Sequence, residues 1–133
     1  MASFKSTYLS NLYLNALFNA AAFDATIPAT LYATAFTVAP TAAGGGTQAT
    51  VVGRVAMTCN TTNFPTATSA TISNAVAIAF GTASGNETIV GVGWFDASSG
   101  GNMLDYGDFD TPKSALTGVA FTVPIGGFVG TEA

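Results

Sequence analysis

At Pro28 the hydrophobic period of this 133-residue sequence changes from near four to two, and it does not change back. Ahead of that point, Ser3, Thr7, Asn11, Asn15 and Asn19 recur every four residues. Each step of four drifts about 40° around a helix, so these polar residues form a slowly winding stripe. The spacing predicts a helix over 3–23, with Ser3 as N-cap although no capping-box acid stands three residues on. Its remaining face is broad, carrying Phe4, Tyr8, Leu9, Leu12, Tyr13, Leu17 and Phe18. That is wider than one core contact needs. Such a helix lies in a groove of its own domain or meets a second chain. Pro28 ends any continuation.

Beyond Pro28, Thr30, Tyr32, Thr34, Phe36 and Val38 alternate with small residues and predict a strand that Pro40 stops. Further strands are expected over 50–58, 70–80, 88–95, a short one at MLDYG, and 114–125 up to Pro124. Within 70–80, Val76, Ile78 and Phe80 share one side and Ala75, Ala77 and Ala79 the other. Gly91 and Gly93 share a face of 88–95, which calls for close packing or a bulge. Loops rich in Gly, Ser, Thr and Asn separate these runs at 60–68, 81–86 and 96–102. The fold class that follows is mainly β: an antiparallel β-sandwich or open barrel of six to eight short strands with one N-terminal α-helix. The chain reads as a single domain over 1–133, a helix at 3–23 and a β-domain at 29–130.

Composition now narrows the function. Charged residues make up 8% of the chain, against about 25% in ordinary soluble proteins. Thr, Asn, Ser, Gly and Ala must therefore supply most of the surface, which is neutral and cheap to desolvate. That suits an exterior covered by copies of itself or by partners; some secreted β-proteins reach the same composition without assembly. Three basic residues and a net charge of −4 cannot build the patch that nucleic acid needs. No apolar run approaches the roughly 20 residues that span a bilayer. Lys5 before LYLNALFNAAAF has the outline of a cleaved signal, but Asn15 and Asn19 interrupt its apolar region.

Chemistry finds little to work with. The run Gly44, Gly45, Gly46 is followed by Thr47 and Gln48 with no lysine, so it is not a P-loop. A Val/Thr strand follows it where a dinucleotide fold needs a helix. It reads as a β–β connection whose glycines permit positive φ and close approach. Asp105, Asp108 and Asp110 are calcium candidates by clustering, but their spacing lacks the EF-hand pattern, and turns use Asp in the same way. The chain has no His to serve as a base, and Lys113 and Ser114 are adjacent on a strand and point apart. Cys59, the only cysteine, forms no intrachain disulfide and reads as an inert side chain. Trp94 with Asp96 and Tyr106 is a glycan-stacking candidate, against core packing for the tryptophan. The sequons at Asn60 and Asn86 are expected by chance in a chain this rich in Asn and Thr. The sequence therefore implies no enzyme, no cofactor and no resident metal.

Several stretches together resemble a family of small bacteriophage virion proteins. They are YATAFTVAPTAAGGGTQ at 32–48, ISNAVAIAF at 72–80, VGWFDASSGGNMLDYG at 92–107 and TPK at 111–113, behind an N-terminal YLSNLYLNALF. The ordered set covers most of the chain. This sequence differs from the family pattern at Gln48, where an acid is common, and around 60–68, which is expanded. The resemblance implies a virion structural role, described across the family as head-decoration, minor-tail or tail-fibre-like.

Joined to the low charge and the broad helix face, the resemblance leads to a capsid decoration or cement protein as the first expectation. A minor tail or tail-fibre-associated protein is the alternative, and a glycan- or receptor-binding module a third. The expected partners are further copies of the chain, with a trimer as the expected oligomer, and other virion proteins, the major capsid protein first. The expected location is the capsid surface, then the tail, after synthesis in the bacterial cytoplasm. The interface candidates are Phe4, Tyr8, Leu12, Tyr13, Leu17, Gly44, Gly45 and Gly46.

Overall fold

The computed structural model describes residues 3–19 and 28–131. The predicted helix end at 20–23 lies outside the described residues. Among them the chain forms β1 (Ser3–Lys5), α1 (Thr7–Asn19), β2 (Thr30–Val38), β3 (Thr47–Gln48), β4 (Val55–Thr58), β5 (Thr71–Ser73), β6 (Ile78–Thr82), β7 (Glu87–Phe95), β8 (Met103–Ala115), β9 (Ala120–Val123) and β10 (Val129–Thr131). The fold is mainly β, every pairing is antiparallel, and one helix stands near the N-terminus, as the periods predict.

The main sheet runs β1-β8-β7-β2-β3, and β4 shares the outer edge of β2 with β3. Two-stranded ribbons, β5 with β10 and β6 with β9, complete the fold. Register decides what each face of the main sheet carries. Ala33 faces Trp94 and Ala35 faces Val92, and these side chains enter the larger core. Ile78 and Phe80 from β6 and Phe121 and Val123 from β9 fill its other side. The inward set Ile78 and Phe80 is the one the alternation at 70–80 predicts, with Ala77 and Ala79 exposed.

The opposite face carries a second cluster of Phe36, Phe95, Met103 and Tyr106, joined by Phe4 and Tyr32. Gly91 and Gly93 lie beneath it. A Cβ on Gly93 would come within 2.6 Å of the Phe36 ring, and one on Gly91 would collide with the Tyr106 hydroxyl and the Gly107 carbonyl. The paired glycines thus make the floor on which two rings lie flat enough to be buried.

Four predicted strands come out differently. The predicted strand over 50–58 is short, with regular pairing only at Val55–Thr58. Its first half is an irregular connection in which Val52 still enters the core, while the Glu87 carboxylate accepts hydrogen bonds from the Thr50 amide (3.1 Å) and hydroxyl (2.6 Å). The run 70–80 splits into β5 and β6 at Asn74. MLDYG is the start of a 13-residue strand. Its register jumps from Ile89↔Lys113 to Gly91↔Asp108, and Pro112 sits in the bulge between, where no ladder donor is required. Last, 114–125 breaks at a turn closed by Val119 N–H to the Leu116 carbonyl, so β8 ends before it and β9 begins after it. The short β10 carries too few residues to be read from periodicity.

Asn74 explains its own break. It is fully buried, and its amide donates to the carbonyls of Val76 (2.8 Å) and Pro124 (3.0 Å) while its side-chain oxygen accepts from Phe128 N–H (2.9 Å). One side chain therefore ties the β5–β6 link to the β9–β10 link. Asn74→Ala removes the partner of the Phe128 N–H and of the Val76 carbonyl, while the Pro124 carbonyl keeps its bond from Gly127 N–H (2.8 Å), and is expected to destabilise the fold by about 2 kcal/mol. Urea unfolding checks this, and a loss well under about 1 kcal/mol would contradict the clasp.

Candidate functional site

The site assembles around α1, and Ser6 positions it. Ser6 is buried; its N–H donates to the Leu104 carbonyl (2.9 Å), its carbonyl accepts from Ser10 N–H (3.0 Å), and its hydroxyl accepts from Leu9 N–H (3.1 Å). That is an N-cap three residues later than the predicted Ser3. Residues 3–5 are strand because β8 offers an open edge there, and Phe4 gains a ring contact with Tyr106 at 5.4 Å. Thr7 N–H donates to the Ala42 carbonyl (2.8 Å), tying the helix start to the glycine loop.

No residue of α1 is buried. The polar stripe of Thr7, Asn11, Asn15 and Asn19 faces water, as its spacing predicts. Leu14 is 54% exposed, Leu17 74% and Phe18 75%. The helix carries no charged residue. Leu12 is half-buried, Tyr8 turns towards Phe95 and the glycine loop, and Leu9 and Tyr13 line an apolar pocket. The Lys5 ammonium lies 5.6 Å from the centre of the Tyr13 ring. The pocket measures about 420 Å³, and Leu31, Phe64, Ile72 and Phe128 close it against the β-domain. Cys59 also lines it; the residue is exposed, but partial desolvation of its thiol raises the pKa above the ordinary value, so it is not activated.

The glycine loop is a turn. Thr41 and Gly44 exchange backbone hydrogen bonds at 2.9 Å each way, and all three glycines have positive φ. At Gly46 a Cβ would lie 2.6 Å from the Val38 carbonyl oxygen, so the chain's own backbone is the neighbour that presses close. Thr47 pairs back onto Val38, as the connection reading requires.

The glycan candidates are not brought together. Trp94 is 3% exposed, edge-on to Phe64 (5.5 Å) and Phe128 (5.2 Å). Tyr106 is 1% exposed and faces Gly93, so it lies on the other side of the sheet from Trp94. Asp96 holds the 96–102 loop by accepting from the amide (2.7 Å) and side chain (3.0 Å) of Asn102. The carboxylates of β8 are also separated. Asp105 shares the face of Trp94, and Asp108 the face of Gly91. Asp105 accepts from Tyr106 N–H (2.7 Å) and Asp108 from the Tyr106 hydroxyl (2.6 Å). Among the described residues no three His, Cys, Asp or Glu side chains stand together to hold a metal ion.

Arg54 is an anchor inside the fold. Its guanidinium lies 3.9 Å from the Phe95 ring centre and donates to the carbonyls of Ala97 (2.7 Å) and Gly100 (2.9 Å) and to Gln48 (3.4 Å). Burial lowers its pKa from the ordinary value, with Asp96 opposing. The residues that sequence reasoning passed over are Leu14 and the pocket walls Phe64, Ile72 and Phe128. Phe64, a lone aromatic in a loop of Asn and Thr, was the available signal.

A family model described as "Podophage GP4 fiber I protein gp80" matches residues 5–131. No curated protein matches the chain.

Burial, then the hydrogen bond to Asp108 and its charge, push the Tyr106 hydroxyl well above the ordinary tyrosine value. A folded pKa above the unfolded one stabilises the fold fully below about pH 10, and that contribution is lost as pH rises beyond it. Wild-type protein is therefore expected to lose urea resistance as the pH rises above about 10. Tyr106→Phe is expected to flatten that loss while lowering stability at neutral pH by about 1 kcal/mol. Equal alkaline loss in both proteins would refute the assignment.

Proposed function

The chain belongs to the podophage fiber I protein gp80 family, a family of phage virion structural proteins, and from that membership we propose that it is a non-enzymatic structural component of the phage tail fibre. The observation that carries the reading is the match itself, which runs along almost all of the chain and whose description names a fibre. The capsid-decoration expectation finds no support there, so the tail-fibre alternative takes its place. The glycan-binding reading also recedes, because Trp94 and Tyr106 are both buried and face apart.

A structural role fits the chemistry. The chain has no His, its carboxylates at 96, 105 and 108 are engaged in holding backbone and side-chain donors, and its one thiol is pushed up in pKa. What it offers to a partner is apolar, uncharged area on α1. Such area is inexpensive to desolvate and multiplies with copy number. We propose that the protein acts as a homo-oligomer, a trimer being the expected closed form, attached to other tail proteins rather than to the major capsid protein.

The test is to locate the protein in purified particles by gold-labelled antibody, and to complement a phage lacking it with wild type or Leu17→Asp. Label on the fibres, and an order-of-magnitude loss of incorporation for Leu17→Asp, is the expected outcome. Label spread over the capsid would restore the decoration reading and sink this one.

A further inference from the structure

The helix and the pocket beside it carry matching chemistry. Leu9 and Tyr13, four residues apart, form one wall of the apolar pocket of about 420 Å³. Leu17 is the next position on the same stripe. It has run past the pocket into water, 74% exposed, with Phe18 beside it at 75%. The pocket is roomy for one large side chain, within the range of about 300–1,000 Å³ that binding pockets occupy. A chain cannot fill it with its own Leu17, because the helix that forms its wall carries Leu17 away from it.

We propose that the pocket is occupied by the end of α1 from a second copy of this chain, with Leu17 and Phe18 as the inserted side chains. Area supports a copy as the occupant. At their observed exposures Tyr13, Leu14, Leu17 and Phe18 leave on the order of 500 Å² of apolar surface in water, near the largest patch an ordinary monomer shows. Two copies together, pocket walls included, bring on the order of 1,000 Å² out of water, the threshold of a specific interface. Charge supports it too. Like-charged copies of a protein with net charge −4 repel, but the docking helix has no charged residue to desolvate or oppose. Because donor and acceptor are different patches, the contact closes either by reciprocal exchange between two copies or around a ring. The docking deepens the assembly role proposed above and rests on it only for its place in the virion, since it is measured on the isolated chain.

Cys59 makes the test direct, being the only cysteine and part of the pocket. In the purified full chain, Phe18→Cys is expected to form an interchain disulfide with Cys59 under mild oxidation, seen as a covalent multimer on a non-reducing gel. Adding Cys59→Ser should abolish that band, and Asn15→Cys on the polar stripe should not produce it. Light scattering should give an oligomer for wild type and the monomer mass for Leu17→Asp, with the far-ultraviolet spectrum unchanged. The dye 1-anilinonaphthalene-8-sulfonate should stay dim with wild type and brighten several-fold with Leu17→Asp, whose pocket is vacated. A monomeric wild type that takes up the dye would overturn the proposal in favour of a small apolar ligand. An oligomer indifferent to Leu17→Asp, with no cross-link from Phe18→Cys, would place the interface elsewhere. Either failure leaves a fibre location by gold labelling intact, so the two readings fail separately.

Discussion

The structure depends on a central strand, β7, that is buried on both faces by two different means. On one face Val92 and Trp94 enter the larger core against Ala33 and Ala35. On the other the strand has no side chains at 91 and 93, and the rings of Tyr106 and Phe36 occupy that space. A bulkier residue at either glycine would lift a ring and separate β7 from β8 or β2. The T-shaped contact of Phe36 with Tyr106 at 5.5 Å, and the contact of Phe4 with Tyr106, then extend the cluster to the edge strand β1. Since β1 leads directly into Ser6 and α1, the helix is held in place by packing that begins at two glycines.

The low charge content takes on a second meaning in this fold. Few charged side chains exist, and several of those described hold the chain together, as do some of the asparagines. Arg54 joins the 96–102 loop to Gln48 across the Phe95 ring, Asp96 closes that loop, and Glu87 caps the connection at Thr50. Asn86 accepts from the Thr117 amide at 2.9 Å, and Asn60 from the Asn63 amide at 2.8 Å, so both sequon asparagines serve as turn braces. Around these braces the molecule meets water through Thr, Ser, Gly and Ala, through Asp108, Asp110 and Lys113 along β8, and through the uncharged helix. A neutral surface of this kind costs little to desolvate.

How much of this could be read from the residues differs between elements. The strand at β7 and the loop at 96–102 were legible because alternation and a glycine-serine run are local signals. The glycine loop was legible for the same reason, since a run without lysine and ahead of a strand excludes phosphate binding and leaves a turn. The split at Asn74 was not legible, because an asparagine flanked by Val, Ile and Ala looks like strand until its three partners are known. The length of β8 was hidden by Pro112, which signals a turn unless a bulge receives it. Ser3 looked like the cap because nothing local reveals that 3–5 would be claimed by an open sheet edge.

The sequence by itself determined the class: a short helix with one polar stripe, period-two strands, glycines at close approaches, and a chain poor in charge and without His. These follow from backbone sterics and side-chain chemistry that act over a few residues. Tertiary structure alone decided that Trp94 and Tyr106 would be buried on opposite faces, that β8 would carry its acids apart, and that α1 would leave Leu14, Leu17 and Phe18 in water beside an open pocket. Which face a residue takes depends on register between strands far apart in sequence. A hydrophobic helix face stays in water only if the rest of the fold leaves it uncovered, and among the described residues it does at Leu14, Leu17 and Phe18.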